Sequence, residues 1–321
     1  MPKSYDIFNG DADGICALHQ LRLDAPRAAE LVTGPKREIT LLERVDAQNG
    51  DELTVLDVSM KANQQALARA LERGARVTYF DHHASGEIPQ HPALAAHIDT
   101  APDLCTSLIV DRTLQGRHRM WAVVAAFGDN LVASAVRAAQ PLALDHTELA
   151  RLHELGECLN YNAYGESVED LHYHPADLYR AIARYRDPRH FIFDEPVFGV
   201  LRNAYAEDLL RASEITPYRT AHSAAIYILP NAAWSRRVSG LFGNRLAQTD
   251  PGRANAVLVA KPGGYTVSVR APVDRPTDAA MLCERFETGG GREAAAGINM
   301  LPEVDLERFV RAFEEAYGRV S

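Results

Sequence analysis

The sequence predicts an α/β protein of two domains, a parallel sheet with helices on both faces followed by a smaller α/β domain. Three observations carry this. Short runs rich in β-branched and aromatic residues alternate with stretches of helical periodicity through the N-terminal part, the pattern of a parallel sheet whose crossovers are helices. At 321 residues the chain is longer than one hydrophobic core ordinarily organises. Around "DPRHFIFDEP" the texture then changes from helices to strands joined by tight turns.

In order, "SYDIF", "LTVLDVS" and "ARVTYFDHH" read as strands bounded by polar breaks. "GICALHQLRL" and "MKANQQALARALERG" between them read as helices, with Gly74 where a C-terminal stop is expected. A mostly helical segment follows over about 106–186. The two prolines of "DPRHFIFDEP" mark the boundary between domains 1–188 and 189–321. Beyond it, "HSAAIYILP", "ANAVLVA" and "GYTVSVRAP" are strands, the last two forming a hairpin about the Lys261–Gly264 turn.

Composition narrows the function classes. With 46% hydrophobic and 24% charged residues, the chain is that of a soluble globular protein. A formal net charge of -9 argues against wrapping duplex nucleic acid but leaves room for a local anion site. Cys16, Cys105, Cys158 and Cys283 lie far apart without a CxxC pair, so neither a zinc knuckle nor a disulfide framework is indicated. No apolar run approaches a membrane span and the N-terminus carries no signal-like segment. These features point to a cytoplasmic, reduced protein.

The chemistry-bearing residues collect at the C-terminal ends of the three N-terminal strands. Strand one ends in Asn9, Asp11 and Asp13, strand two in Asp57, and strand three in Asp81, His82 and His83. Ligands of an open parallel sheet bind outside those ends. One aspartate at the start of the first helix would serve as an N-cap; Asp11 and Asp13 are one more than a cap needs. Carboxylates gathered without a counter-ion repel one another, so a divalent cation is the economical companion. Oxygen ligands with one or two imidazoles suit manganese or magnesium.

"NGDADG", "VLDVS", "DHH" and "VVAAFGDN", in this order, resemble the four motifs of the DHH phosphoesterases, and "CTSLIV" resembles the segment after the DHH triplet. "SRRVSG", "YTVSVRAP" and "TGGGREAAAG" are similar to the DHH-associated C-terminal domain. The resemblance covers nearly the whole chain. It implies an active site in the cleft between the two domains and two Mn2+ ions, with Mg2+ as the alternative. By resemblance Asp11 binds one ion, Asp13 the other, and Asp57 bridges them. His82 and Asp129 complete the ligand set of the second ion, Asp81 orients an imidazole, and His83 faces the substrate phosphate. Two such ions lower the pKa of a shared water and stabilise attacking and leaving oxygens, so no protein nucleophile is required. Asn9 departs from the pattern, since relatives of the HxDxDG form carry histidine there; in the longer-spaced form the position is Ile7. A neutral amide oxygen is the weaker ligand, which predicts a loose first site and a need for high manganese.

In the second domain, alternation along "GYTVSVRAP" places Tyr265, Val267 and Val269 on one face and leaves Arg270 free to project from the other. Gly289, Gly290 and Gly291 read either as a flexible turn or as backbone N–H groups offered to a phosphate at a helix start. Arg292 stands where the family usually has histidine and would grip phosphate bidentately. "LHYHP" (His172, His174) reads as a surface loop, and "NYNAYG" (160–165) as a crevice cap or a helix connection. Arg236 and Arg237 read as a positive wall or as solvated surface.

The resulting expectation is a manganese-dependent phosphoesterase for a short single-stranded oligonucleotide, a linear dinucleotide or pAp, with no duplex or membrane partner and a homodimer left open. A pyrophosphatase or polyphosphatase is the rival hydrolase, although "GGGREAAAG" argues against it. A nucleotide sensor with a weakened metal site, motivated by Asn9, is the rival of another class.

Overall fold

The computed structural model describes residues 2–318. In the N-terminal part, β1 (Ser4–Phe8), α1 (Ala12–Asp24), β2 (Glu30–Val32), β3 (Glu52–Leu56), α2 (Met60–Glu72), β4 (Arg76–Asp81) and β5 (Leu94–Ile98) build a five-stranded sheet. Its order is β2-β1-β3-β4-β5 and every pair is parallel. Helices cover both faces. Tyr5, Ile7, Leu53, Val55, Val77 and Tyr79 share one core with Met60, Leu67 and Leu71 of α2. On the opposite face, Arg22 of α1 reaches Asp6 and Thr54, so α1 lies across the alternate residues of β1 and β3. The strand order reverses at β1, which has β2 on one side and β3 on the other. A topological switch point of this kind is where such sheets bind ligands.

The helical segment expected over 106–186 is present as α3 (Thr106–Thr113), α4 (Arg119–Gly128), α5 (Val132–Ala139), α6 (His146–Ala163) and α7 (Pro175–Ile182). α4 and α6 cross closely with α1 because glycine permits it. A Cβ on Gly128 would meet the Ala12 methyl well inside contact distance and the Gly156 carbonyl oxygen at 2.8 Å. Two further helices follow, α8 (Pro188–Asp194) and α9 (Pro196–Ser213). The chain divides into two units, Met1–Ala204 and Tyr205–Ser321. The division therefore falls inside α9 and not at residue 188; Pro188 begins α8 and Pro196 begins α9, so the prolines continue the helical part.

The second unit contains β6 (Arg219–Ala221), β7 (Ala224–Leu229), α10 (Ala233–Thr249), β8 (Ala254–Lys261), β9 (Gly264–Arg270), α11 (Ala279–Cys283), β10 (Gly289–Gly291), β11 (Ala295–Pro302) and α12 (Leu306–Tyr317). Its sheet runs β10-β11-β9-β8-β7-β6, antiparallel except for β7 and β8, whose parallel crossover is α10. The predicted hairpin is β8–β9, with Lys261 opposite Gly264. Val267, Val269, Ile298 and Leu301 pack with Phe309 and Phe313 of α12 and Leu282 of α11. All four cysteines are unpaired and buried.

The expectation for the glycine run is overturned in this unit. The glycine run does not open a helix. Gly289, Gly290 and Gly291 form the edge strand β10, paired with Ile298, Gly297 and Ala296. Ala296, Ile298 and Leu301 are buried at near-alternate positions, a strand periodicity that the small residues of "REAAAGIN" disguise. Gly289 is required because a Cβ there would strike the Cys283 carbonyl.

Candidate metal centre

The motif residues meet at the C-terminal edge of the first sheet. Asp11 caps α1, its Oδ1 accepting from the backbone N–H groups of Asp13 and Gly14, both at 3.0 Å. Gly14 follows because a Cβ there would collide with the Asn9 carbonyl. Asp13 points the other way, to the start of α3. Its two oxygens accept from Thr106 N and Ser107 N, each at 2.7 Å, a buried carboxylate against the positive end of a helix. The doublet is thus one cap for its own helix and one anchor for a helix 94 residues later.

Asp57 follows β3 with φ of +57°, a left-handed conformation that costs a non-glycine residue energy. Its backbone N–H still bonds Phe80 O (3.0 Å), while its Oδ1 accepts from Thr106 Oγ1 (3.3 Å). Asp129 closes α4. Leu131 N bonds Ala126 O (2.8 Å) and Asn130 N bonds Phe127 O (3.0 Å), with Asn130 at φ +61°. This Schellman ending turns the chain just past Asp129.

Beyond β4, His82 Nδ1 donates to Leu104 O (3.0 Å), which makes Nε2 the lone-pair nitrogen. Nε2 stands 3.4 Å from Asp57 Oδ1 and 3.9 Å from Asp129 Oδ2. His83 Nδ1 donates to Asp81 Oδ1 (2.7 Å), which also accepts from His82 N (2.9 Å). Asp81 therefore orients the His83 ring. Ligand atoms of Asp13, His82 and Asp129 lie within 4.8 Å of one another, as do those of Asp57, His82 and His83. Asp13, Asp57, His82 and Asp129 fit a divalent cation: three carboxylates around one imidazole nitrogen whose tautomer is fixed by a backbone carbonyl.

A residue that sequence reasoning missed occupies the other half of the centre. Lys36, in the loop after β2, places Nζ 2.6 Å from Asp11 Oδ2, 3.2 Å from Asp129 Oδ1 and 3.4 Å from Asn160 Oδ1. Its backbone N–H is tied to Ala163 O (2.9 Å), and the Tyr164 ring lies 5.9 Å from Nζ. "NYNAYG" is therefore the end of α6 and a wall of this site. Asn9 turns to local bonds, Oδ1 accepting from Asp11 N (3.3 Å) and Nδ2 donating to Lys36 O (3.4 Å). Asn9 and Asp11 do not fit the first of two ions while the ammonium stands there.

The charges respond accordingly. Burial disfavours the Lys36 ammonium, yet Asp11 and Asp129 outweigh it and hold its pKa well above the usual lysine range. Burial pushes the Asp11 carboxyl up, but Lys36 and the Gly14 N–H bring it below its ordinary value. Burial, together with Asp11, Asp13 and Asp129, drives Asp57 well above the carboxylate range, and burial and Asp129 raise Asp13. A cation is what this excess negative charge lacks.

The residues singled out in the second unit are placed differently. Arg270 does not project freely: it is half-buried, donating to Asn244 Oδ1 (2.6 Å), Ser268 Oγ (2.9 Å) and Gly240 O (3.4 Å). The alternation was right about its face, but α10 covers that face. Arg237 is buried against Asp208 at 2.9 and 2.7 Å, neither a wall nor solvated surface. Arg292 is exposed in the β10–β11 turn, where its backbone pairs with Ala295. In the first unit, His174 caps α7 through Ala176 N (3.1 Å) and His172 meets the Tyr161 hydroxyl (2.8 Å).

No known sequence family and no curated protein matches the chain. Solved structures do. Exonuclease RecJ bound to manganese is 16% identical, with a TM-score of 0.60 over 99% of this chain and 91% of its own. A DHH domain described as belonging to a family of ribosomal proteins is 14% identical, with a TM-score of 0.62 over 98% and 86%. PggH, a pGpG-specific phosphodiesterase from Vibrio cholerae, is 12% identical, with a TM-score of 0.56 over 98% of each chain. With its motif residues gathered at one sheet edge and its second unit matched along with the first, the chain has the fold of the DHH-domain proteins.

Proposed function

We propose that the protein is a divalent-cation-dependent phosphoester hydrolase acting on short nucleotides. The carrying observation is the convergence of Asp13, Asp57, His82 and Asp129, drawn from four separate elements, on one small volume. RecJ and the pGpG-specific phosphodiesterase, which share the fold, support hydrolysis of phosphodiesters. Manganese is the first choice of ion, given oxygen ligands with a single imidazole and the manganese in the RecJ structure.

A bound divalent cation would supply acidification of water and neutralisation of charge on a phosphoryl oxygen. The chain does the rest. Leu104 O holds His82 with its lone pair inward. The N–H groups of α3 prevent Asp13 from swinging away. Asp81 keeps His83 turned so that its Nε2 is available to a phosphate oxygen or leaving group, and lends it negative charge to stabilise a proton there. Burial lowers the His83 pKa, but the Asp81 hydrogen bond and charge more than reverse this. Arg292, exposed and always charged, is the residue that the family resemblance assigns to a second phosphate. The net charge of -9 favours a short substrate over a duplex.

The test is product analysis in manganese with pAp, 5′-phosphorylated dinucleotides, longer oligonucleotides, polyphosphate and pyrophosphate. Release of mononucleotide or phosphate by the wild type, lost in Asp57→Ala, is expected. Wild type and Asp57→Ala behaving alike on every substrate would refute hydrolysis at this centre and leave a nucleotide sensor.

A further inference from the structure

The Lys36 ammonium has three N–H donors and no acceptor. All three donors have an oxygen within reach: Asp11 Oδ2 (2.6 Å), Asp129 Oδ1 (3.2 Å) and Asn160 Oδ1 (3.4 Å). These come from the first helix cap, the end of α4 and the last turn of α6, so the cradle is built by three elements and is not a chance surface pairing. The lysine backbone is fixed on either side, by Ala163 O through its own N–H and by Asn9 Nδ2 through its carbonyl. The residue that would have competed for Asp11 as a ligand to a metal, an imidazole at position 9, is here an amide bonded to Asp11 N.

The two halves of the centre therefore differ in kind. His82 belongs to both groups of side chains able to hold an ion, Asp13–His82–Asp129 and Asp57–His82–His83; the ammonium reaches this half through Asp129 Oδ1, while Asp129 Oδ2 and Asp57 Oδ1 face His82 Nε2. Around Asp11 the negative charge is already met by a fixed positive charge with saturated hydrogen bonds. An ion entering there would have to displace the ammonium, lose its hydration and accept a neutral amide as its third ligand. Like charges a few ångströms apart in a buried site repel strongly.

We propose that Lys36 Nζ replaces one cation of a two-ion centre, so that the protein binds a single divalent ion, at Asp13, Asp57, His82 and Asp129. This rests on the hydrolase reading only in needing that one ion. Lys36 is a positioning residue in this role: its donors hold Asp11 and Asp129, and Asp129 keeps its other oxygen toward His82. The ammonium cannot acidify water as an ion does, so the hydrolysis it permits relies on one ion and on His83.

Ion stoichiometry tests this without any substrate. Full-length protein, stripped with chelator and equilibrated with manganese, is analysed by equilibrium dialysis and by electron paramagnetic resonance. One manganese per chain with the spectrum of an isolated ion is expected; two per chain, or the spectrum of an exchange-coupled pair, overturns the Lys36 assignment and leaves the hydrolase reading intact. No bound manganese would refute the ion site itself, a different failure. The Asn9→His, Lys36→Ala double variant is expected to take up a second ion and to show the coupled spectrum. A folded double variant still holding one ion would refute exclusion by the ammonium. Should the variant not fold, the wild-type count decides alone.

Discussion

Replacing Gly128 with alanine changes one hydrogen to a methyl and alters none of the candidate ligands, yet it reaches the candidate metal centre through packing. The new Cβ falls inside contact distance of the Ala12 methyl and 2.8 Å from the Gly156 carbonyl, both on helices held by other contacts. Neither neighbour is the end of a flexible side chain, so α1, α4 and α6 must separate by several tenths of an ångström. Overpacking of this kind costs about 3 kcal/mol, and the better helix propensity of alanine returns about 1 kcal/mol. The net loss is about 2 kcal/mol, or a melting point about 6 °C lower for a unit of this size. The same movement shifts Asp129, the next residue, relative to Asp11 and Asp13 at the start of α1, and manganese affinity should fall about tenfold, as when a supporting residue of a metal site is altered. Gly199→Ala is the control. It lies within α9 with nothing within 4 Å of the new methyl, and should gain up to about 1 kcal/mol. Urea titration of both variants with chelator, and calorimetry with manganese, give the comparison. A Gly128→Ala protein as stable as Gly199→Ala would refute the tight crossing.

Two further outcomes follow from buried polar groups. His19 is held neutral, its Nε2 2.8 Å from Tyr185 O and its ring edge-on to Trp121; burial lowers its pKa from 6.5 to about 4. The unfolded chain therefore takes up this proton first. The contribution is complete above pH 6.5 and is lost as pH falls toward 4, by about 2 kcal/mol at pH 5. Urea midpoints of wild type and His19→Gln at pH 7.5 and 5 should show the smaller acid loss in the variant; equal losses would refute the assignment. Asp81→Asn should leave manganese affinity within a few-fold of wild type and reduce turnover at least tenfold, because Asp81 supports His83. Affinity falling in step with turnover would show that Asp81 serves the ion instead.

Much of this centre is legible in the sequence because its parts sit at the ends of strongly patterned elements. β1 is "SYDIF" as read, α2 follows its apolar spacing, α1 forms where expected but is buried on all sides from Ala12 to Gln20, and Gly74 adopts φ +88° at the helix stop. Lys36 was hidden for a definite reason. β2 is three residues long and largely unburied, so "ELV" carries no alternation, and without β2 the loop after it has no place on the sheet edge. β5, "LAAHI", is masked by its alanines in the same way. Sequence spacing identifies which face Arg270 occupies but carries no information about α10 lying over that face. The Asp11–Asp13 doublet shows the limit most clearly: the local cap made by Asp11 was readable, whereas Lys36 beside Asp11 and the α3 N–H groups on Asp13 come from farther along the chain.

That separation bears on when the centre can exist at all. Asp13 is anchored by Ser107, Lys36 by Asp129 and Asn160, at sequence distances of 94, 93 and 124 residues. Contacts so distant form late, after the loop-closure entropy of the intervening chain has been overcome. During synthesis the ribosome must release about half of the polypeptide before Asn160 can meet Lys36. Until then the ammonium lacks the last of its three acceptors. The residues grouped as ion ligands are complete only once the chain has passed Asp129, so any ion they take up reports on folding that spans at least α1 to α4.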